Sequence, residues 1–379
     1  MEPLNFGPKK LGFGCMRLPM TEGTVGGEGV VDTRQVCAMI DTFLEQGFCY
    51  FDTAHGYIAG KSEPTLRQCL VERYPRDRYL LTDKLSGTFF ETEADIRPFF
   101  ESQLEITGAG YFDFYLMHSM NTKQYQKFTD CNAFQIARQL KEEGKIRHIG
   151  ISFHDTPEVL EQILSGHPEI EVVQIQFNYA DLEDPKVQSL AVYEVCRRYG
   201  KPVIVMEPVK GGALANLPEA AGQILDRLRG GSRASYAIRF AASFEGVAMV
   251  LSGMSTLEQM QDNLSYMSSF QPLTQPEREA VRRACAVLKN QEAIACTACR
   301  YCEAGCPMHI SIPDLFAGWN AKKRDVGSTF DYAAVVSNGH GRASSCIGCL
   351  QCENVCPQHL PVSALLAQVA KEFEAVHEK

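Results

Sequence analysis

Short apolar runs alternate with amphipathic stretches along the first 270 residues of the chain. Apolar-rich runs fall at 11–15, 49–52, 79–82, 112–117, 148–151, 172–176, 203–206 and 249–252. Their length and their bounding turn residues read as buried strands. Between them, apolar residues recur at helical spacing near 32–46, 62–73, 92–106, 131–143, 156–165, 185–199, 232–244 and 256–268. The stretch at 156–165 shows how a start is encoded. Asp155 can cap, Pro157 suits the first turn, and Glu158 stands at capping-box spacing. Val159, Leu160, Ile163 and Leu164 then form one apolar face. Such alternation builds a parallel sheet, and eight repeats predict closure into a (β/α)8 barrel. An open doubly wound sheet is the other arrangement that the alternation allows.

The pattern changes near residue 271. Gln271-Pro272-Leu273-Thr274-Gln275-Pro276 reads as a boundary, which divides the chain into a barrel at 1–272 and a second domain at 273–379. That second domain opens with a helix at about 276–290, continues through a more polar segment at 307–345, and closes with a helix at 361–376. The hydrophobic fraction of 45% and charged fraction of 22% are those of a water-soluble globular protein. A net charge of -9 argues against nucleic-acid binding. The N-terminal residues read as neither a secretory signal nor a membrane span, and no other stretch approaches a spanning length. Seven of the fifteen cysteines are scattered without motif spacing, which fits a reducing, cytoplasmic setting.

The other eight cysteines are ordered. Cys296, Cys299, Cys302 and Cys306 precede Pro307, and Cys346, Cys349, Cys352 and Cys356 precede Pro357. Each copy reads C-x-x-C-x-x-C-x-x-x-C-P, the ligand run of a two-cluster ferredoxin. In such pairs the fourth cysteine serves the other cluster. The expectation is therefore one [4Fe–4S] cluster on Cys296, Cys299, Cys302 and Cys356. The second would sit on Cys346, Cys349, Cys352 and Cys306. Zinc sites more often use paired C-x-x-C units, so the doubled triplet spacing favours iron and sulfur. Clusters serving only to staple a small domain are the other reading.

Barrel active sites sit at the C-terminal ends of the strands. Asp52 and Tyr57 follow the second expected strand, Lys84 the third, and His118 the fourth. Together they make a coherent proton-transfer set. An ammonium near a phenol lowers its pKa, a carboxylate fixes the ammonium, and a neutral imidazole can donate to an oxygen where charge develops. His55, His154 and Arg17 also lie near strand ends, Glu63 reads as a helix-start residue, and Tyr179 as pocket lining or packing.

With these residues in place, the chain resembles the aldo-keto reductase superfamily over roughly residues 7–270. As a whole it looks like the group whose barrel carries a C-terminal two-cluster ferredoxin-like domain. The family's Asp–Tyr–Lys–His tetrad matches Asp52, Tyr57, Lys84 and His118. The resemblance implies hydride transfer between NADPH or NADH and a small-molecule carbonyl or alcohol. Tyr57 would be the general acid, Lys84 its pKa tuner, Asp52 the partner of Lys84, and His118 the carbonyl orienter. It further implies that Ser152 and Gln174 meet the nicotinamide carboxamide and that Met206 stands where an aromatic residue stacks on the ring. Ser252, Ser255, Gln259 and Asn263, with Asp262, match the adenosine-phosphate loop. Phe153 replaces the usual Asn, and Gly253 and Gln259 replace the usual Lys and Arg, so the cations that a 2′-phosphate needs are missing.

A nicotinamide gives two electrons as hydride, whereas a cluster passes one at a time. Three readings follow. The tetrad runs nicotinamide chemistry beside relay, regulatory or structural clusters. Or the clusters, fed by a redox partner protein and aided by a flavin, serve a substrate at the barrel mouth. Or the chain is a redox-sensing or electron-carrier subunit with an inactive barrel.

Overall fold

The computed structural model describes residues 4–27, 29–289, 293–323 and 330–374. Ten strands are formed: β1 Leu11–Gly14, β2 Met20–Gly23, β3 Gly29–Val31, β4 Tyr50–Asp52, β5 Leu80–Leu85, β6 Phe112–Met120, β7 Ile146–Phe153, β8 Val172–Gln176, β9 Val203–Met206 and β10 Val247–Ser252. Eight of them close a barrel in the order β1-β10-β9-β8-β7-β6-β5-β4, and β2 and β3 pair as a separate two-stranded sheet. Every barrel pairing is parallel, including the closing contact of β1 with β4. The fold is the (β/α)8 barrel that the alternation predicts.

The barrel interior is filled, as such barrels require. Tyr50, Phe114, Leu116, Val172, Ile204, Met249 and Leu251 pack along the axis, with Phe6 stacked on Phe114 beneath them. The strand faces turned outward meet the apolar faces of the surrounding helices, as where Leu160, Ile163 and Leu164 of Pro157–Gly166 are buried. That helix is capped by Thr156 rather than Asp155. The Asp155 carboxylate instead accepts from Thr122 and from the Thr156 amide, tying two loops together.

The helix Gln275–Lys289 buries Ala280, Val281, Ala284 and Cys285 against Leu217, Ala221 and Leu225 of the barrel's outer layer. The helix expected to open the second domain thus packs on the barrel's outer layer. Beyond it, the helices Ile312–Lys323, Tyr332–Ser337 and Val362–Phe373 enclose a small core of Leu315, Phe316, Trp319, Leu366 and Val369. Residues 290, 375 and 376, at the ends of two expected helices, lie outside the described residues. No helix among the described residues is long and apolar enough to cross a membrane.

Candidate active site at the barrel mouth

The strand ends bring the four tetrad candidates together. Asp52 is the last residue of β4, Tyr57 sits in the turn that follows, and Lys84 and His118 lie near the ends of β5 and β6. Lys84 is fully buried, while Asp52 is 3% and Tyr57 8% exposed. The Lys84 Nζ donates to Asp52 Oδ1 at 2.7 Å, to the Thr53 carbonyl at 2.7 Å and to the Tyr57 hydroxyl at 3.1 Å. These three acceptors use all the protons of an ammonium. His118 pairs through Nδ1 with Ser86 Oγ at 2.6 Å, and its ring stands edge-on to Tyr57 at 6.0 Å.

The electrostatics are set mainly by burial. Desolvation raises the Asp52 pKa, opposed by the Lys84 charge and its hydrogen bond. Desolvation, with Lys84 next, holds His118 well below the usual imidazole value, so the ring is neutral at physiological pH. Tyr57 departs from expectation. The Lys84 ammonium was expected to lower it, but burial and then the Asp52 charge push the phenol well above its ordinary value. A hydrogen bond from Tyr301 pulls in the opposite direction.

Behind the tetrad lies a second buried set that sequence reasoning missed. Glu63, read as a helix-start residue, is fully buried and pairs with His55 Nδ1 at 2.8 Å. Gln103 Nε2 donates to Glu63, to Asp83 and to the Lys84 carbonyl, each at 3.1 Å, and Tyr115 donates to Gln103 Oε1 at 2.6 Å. Burial, then the Glu63 charge, raises Asp83 well above the carboxylate range. Its Oδ2 has no hydrogen-bond partner. The only sequence signal was the adjacency of Asp83 to Lys84.

The residues matched to nicotinamide contacts are differently employed. Ser152 Oγ accepts from the Ser119 amide at 2.8 Å, where β6 shifts register and Ser119 takes a φ of 55°. Gln174 Nε2 donates to Asp52 Oδ2 at 3.2 Å. Both residues are buried, with exposures of 1% and 2%. Met206 ends β9 opposite Gln176. Asn263 donates to Ser252 Oγ at 2.7 Å and accepts from Tyr266. Ser255 donates its amide to Gln259 Oε1 at 2.8 Å and its hydroxyl to the Arg17 carbonyl at 2.8 Å, while Asp262 accepts from Ser232.

The C-terminal domain supplies a feature absent from the sequence pattern. Its first cysteine loop lies on the barrel mouth. Arg17 Nη2 donates to the Thr297 carbonyl at 2.7 Å. Gly211 takes a φ of 62° and passes so close to Thr297 that a Cβ there would stand 2.4 Å from its carbonyl oxygen. Tyr301 joins the loop to the tetrad. Its ring stands edge-on to His118 at 6.4 Å, and it lies close enough to Tyr57 and Cys299 to bear on their titration.

The eight ordered cysteines approach one another across the two motif copies, though among the described residues no three are drawn together to hold a metal ion. Cys296, Cys299 and Cys302 each feel the charge of Cys356. Cys306, Cys346, Cys349 and Cys352 line one cavity of about 350 Å³, with Ile310, Ile312 and Leu366 among its apolar walls. Burial drives Cys296 up to about 11 and Cys299 up to about 12. Iron bound to these sulfurs would supply the positive charge that thiolates need there. Cysteine sulfur is the donor that such clusters take, so Cys296, Cys299, Cys302 and Cys356, and Cys346, Cys349, Cys352 and Cys306, would hold them.

Comparison with known proteins agrees with this architecture. The Aldo/keto reductase family profile matches residues 10–285, and a 4Fe-4S dicluster domain profile matches residues 295–360. The chain belongs to the aldo/keto reductase family. It is 29% identical over 224 residues to the NADH-specific methylglyoxal reductase of Escherichia coli (strain K12), which covers 53% of this chain and 64% of that protein. The chain thus spans less than two thirds of that relative's length. It is 26% identical over 175 residues to the 9,11-endoperoxide prostaglandin H2 reductase of Trypanosoma cruzi (strain CL Brener), covering 46% of this chain and 56% of that one. Among solved structures, the holo form of a Bacillus halodurans aldo-keto reductase superposes with a TM-score of 0.57 at 25% identity, over 73% of this chain and 91% of that one. A Klebsiella pneumoniae aldo-keto reductase in complex with NADPH superposes at 0.58 and 21% identity, over 72% of this chain and 90% of that one. The chain accordingly joins an aldo/keto reductase family barrel to a 4Fe-4S dicluster domain. None of these relatives points to a flavin.

Proposed function

We propose that this aldo/keto reductase interconverts a small carbonyl compound and its alcohol at Asp52, Tyr57, Lys84 and His118. One observation carries the reading: a single buried ammonium, Lys84, touches both Asp52 and the Tyr57 hydroxyl. In the reducing direction the carbonyl gains two electrons and two protons: the carbon takes a hydrogen, as hydride from a two-electron donor or as a solvent proton beside two single electrons, and the oxygen takes a proton from Tyr57. The Lys84 hydrogen bond stabilises the phenolate left behind. Asp52 holds Lys84 in place, and Gln174 holds the other Asp52 oxygen. Neutral His118, anchored through Nδ1, has its second ring nitrogen to serve the substrate oxygen. When bound, the two clusters pass single electrons.

The source of the two electrons is the open choice between the family's nicotinamide and a one-electron carrier protein. The cysteine loop seated on the mouth favours the carrier as the redox partner, since Ser152 and Gln174 are buried and already paired with Ser119 and Asp52.

The test is Tyr57→Phe in the anaerobically prepared full chain. Methylglyoxal, the substrate in the name of one relative, is a suitable first probe, with NADH or reduced methyl viologen as donor. Turnover is expected to fall by about 10²–10⁴-fold, the usual worth of a general acid. Unchanged turnover would sink the reading.

A further inference from the structure

The nicotinamide contacts implied by the resemblance define a seat. It runs from Met206 and the turn after β9, past Ser152 and Gln174, to Tyr57 and His118. The first cysteine loop, residues 296–302, lies along that course. The Thr297 backbone presses against Gly211 in the turn after β9. Glu207, the residue after Met206, lies within electrostatic reach of Cys296, Cys299 and Tyr301. Arg17 fixes the loop from the other side, by hydrogen bonds to the Thr297 and Ala298 carbonyls at 2.7 and 3.5 Å. At the inner end, the Tyr301 ring stands edge-on to His118 at 6.4 Å, and His118 stands edge-on to Tyr57 at 6.0 Å. Tyr301 therefore lies over the side of the tetrad where His118 would meet a substrate oxygen.

Three features make this a built contact. Gly211 takes a left-handed φ that disfavours other residues, at the point where only a hydrogen fits against Thr297. Gln176 and Gln358 exchange buried amide hydrogen bonds beside it, locking the second half of the domain to β8. The cysteine loop is held internally as well, by Arg300 paired with Glu303 and Asp314. A dinucleotide needs a cleft of several hundred Å³ with groups free to orient it. Here Ser152 and Gln174 are buried and already hydrogen-bonded to the Ser119 amide and to Asp52.

We propose that residues 296–302 are the barrel's own occupant of the nicotinamide seat, with Tyr301 as its plug, so that the assembled protein does not bind NADH or NADPH at the tetrad. Access of any ligand to Tyr57 then requires Tyr301 to withdraw. Because the prediction concerns binding, it stands or falls separately from the tetrad chemistry, which turnover tests.

The experiment titrates NADH and NADPH into the cluster-loaded full chain under anaerobic conditions, following nicotinamide fluorescence. The wild type is expected to give no saturable change up to about 1 mM, the upper end of ordinary KM values. Tyr301→Ala is expected to bind at least tenfold more tightly, and Tyr301→Phe, which keeps the ring, to stay closed. Arg17→Met frees the loop without touching it and should open the seat in the same direction if Tyr301→Ala does not fold. Wild-type binding with a dissociation constant below about 100 μM overturns the proposal. So does a folded Tyr301→Ala or Arg17→Met variant that binds no better than the wild type.

Discussion

Gln176 and Gln358 hold each other by two amide hydrogen bonds, at 3.1 and 2.9 Å, although 182 residues separate them. Both are buried, one on β8 and one beside the last ordered cysteine. The Gln176 amide also donates to Asp181 at 2.8 Å. Each side chain is thus satisfied only when the two domains are docked. Gln358→Leu strands polar atoms of Gln176 in a dry interface, at an expected cost of about 1–3 kcal/mol. The double variant Gln176→Leu/Gln358→Leu should recover part of that loss. Urea denaturation of the four species measures it, and strictly additive effects would count against the pairing.

Lys84 and Asp52 form the most deeply buried ion pair among the described residues, and its two halves are not equivalent to remove. Lys84→Met leaves a carboxylate without its cation in a fully buried position, which costs about 3–5 kcal/mol. Adding Asp52→Asn removes that charge, so the double variant should be more stable than Lys84→Met alone. Because both proteins lose the proposed chemistry, the readout is the denaturation midpoint rather than turnover. A double variant no more stable than Lys84→Met would contradict the buried-charge account.

Asp83 gives a pH dependence with a defined sign. Burial, then the Glu63 charge, raises its pKa in the folded state, so the folded protein keeps a proton that the unfolded chain releases above roughly pH 4. Its contribution to stability is intact below that pH and is lost as pH rises toward the folded pKa. Asp83→Asn cannot titrate and keeps an N–H donor for Glu63. The Tm of Asp83→Asn minus that of the wild type should therefore grow from about pH 5 to about pH 8. Parallel Tm curves would mean that Asp83 is not protonated in the fold.

Gly211 offers a test of how closely the domains approach. A Cβ there must displace the Thr297 backbone, and the residue's φ of 62° adds strain for any side chain. Gly211→Ala is expected to loosen the cysteine loop from the barrel without unfolding either body. Limited proteolysis should cut the variant faster than the wild type on the C-terminal side of Lys289, while the barrel's far-UV circular dichroism is retained. Equal cleavage rates would show that the loop tolerates the methyl group.

The legible parts of this protein are those written in local pattern. Barrel strands are apolar on both faces, so all eight stood out, although β5, β6 and β7 run past the expected ends because polar Lys84, His118 and Ser152 continue them. The hairpin of β2 and β3 and the helix Thr122–Asp130 were missed because they are short and largely polar. Ile312–Lys323 lay inside a segment read as polar, although Ile312, Leu315, Phe316 and Trp319 stand at helical spacing within it. Asp52, Tyr57, Lys84 and His118 could be found because each follows a strand. Tyr301, Arg17 and Gln358 acquire their contacts only when two domains meet, and no spacing along the chain encodes that meeting.

The crossing of the cysteine ligands can be checked without any assay of turnover. Cys356 closes the second copy of the motif in sequence, yet its charge is felt by Cys296, Cys299 and Cys302 of the first. Cys306 closes the first copy, yet lines a cavity with Cys346, Cys349 and Cys352. If each set holds one [4Fe–4S] cluster, Cys356→Ala should lower bound iron from about eight to about four per chain. The paramagnetic signal that survives in reduced Cys356→Ala should match the one surviving in Cys302→Ala. Cys306→Ala and Cys349→Ala should share the other signal. The arrangement matters for the barrel because Tyr301, between Cys299 and Cys302 in the first motif copy, stands edge-on to His118 of the tetrad. Loss of the first cluster should therefore also free the loop over the tetrad, and loss of the second should not. Protection of the Tyr301 amide in hydrogen exchange would fall in Cys356→Ala and persist in Cys306→Ala. The reverse pattern would mean that each motif copy binds its own cluster and that the crossed assignment is wrong.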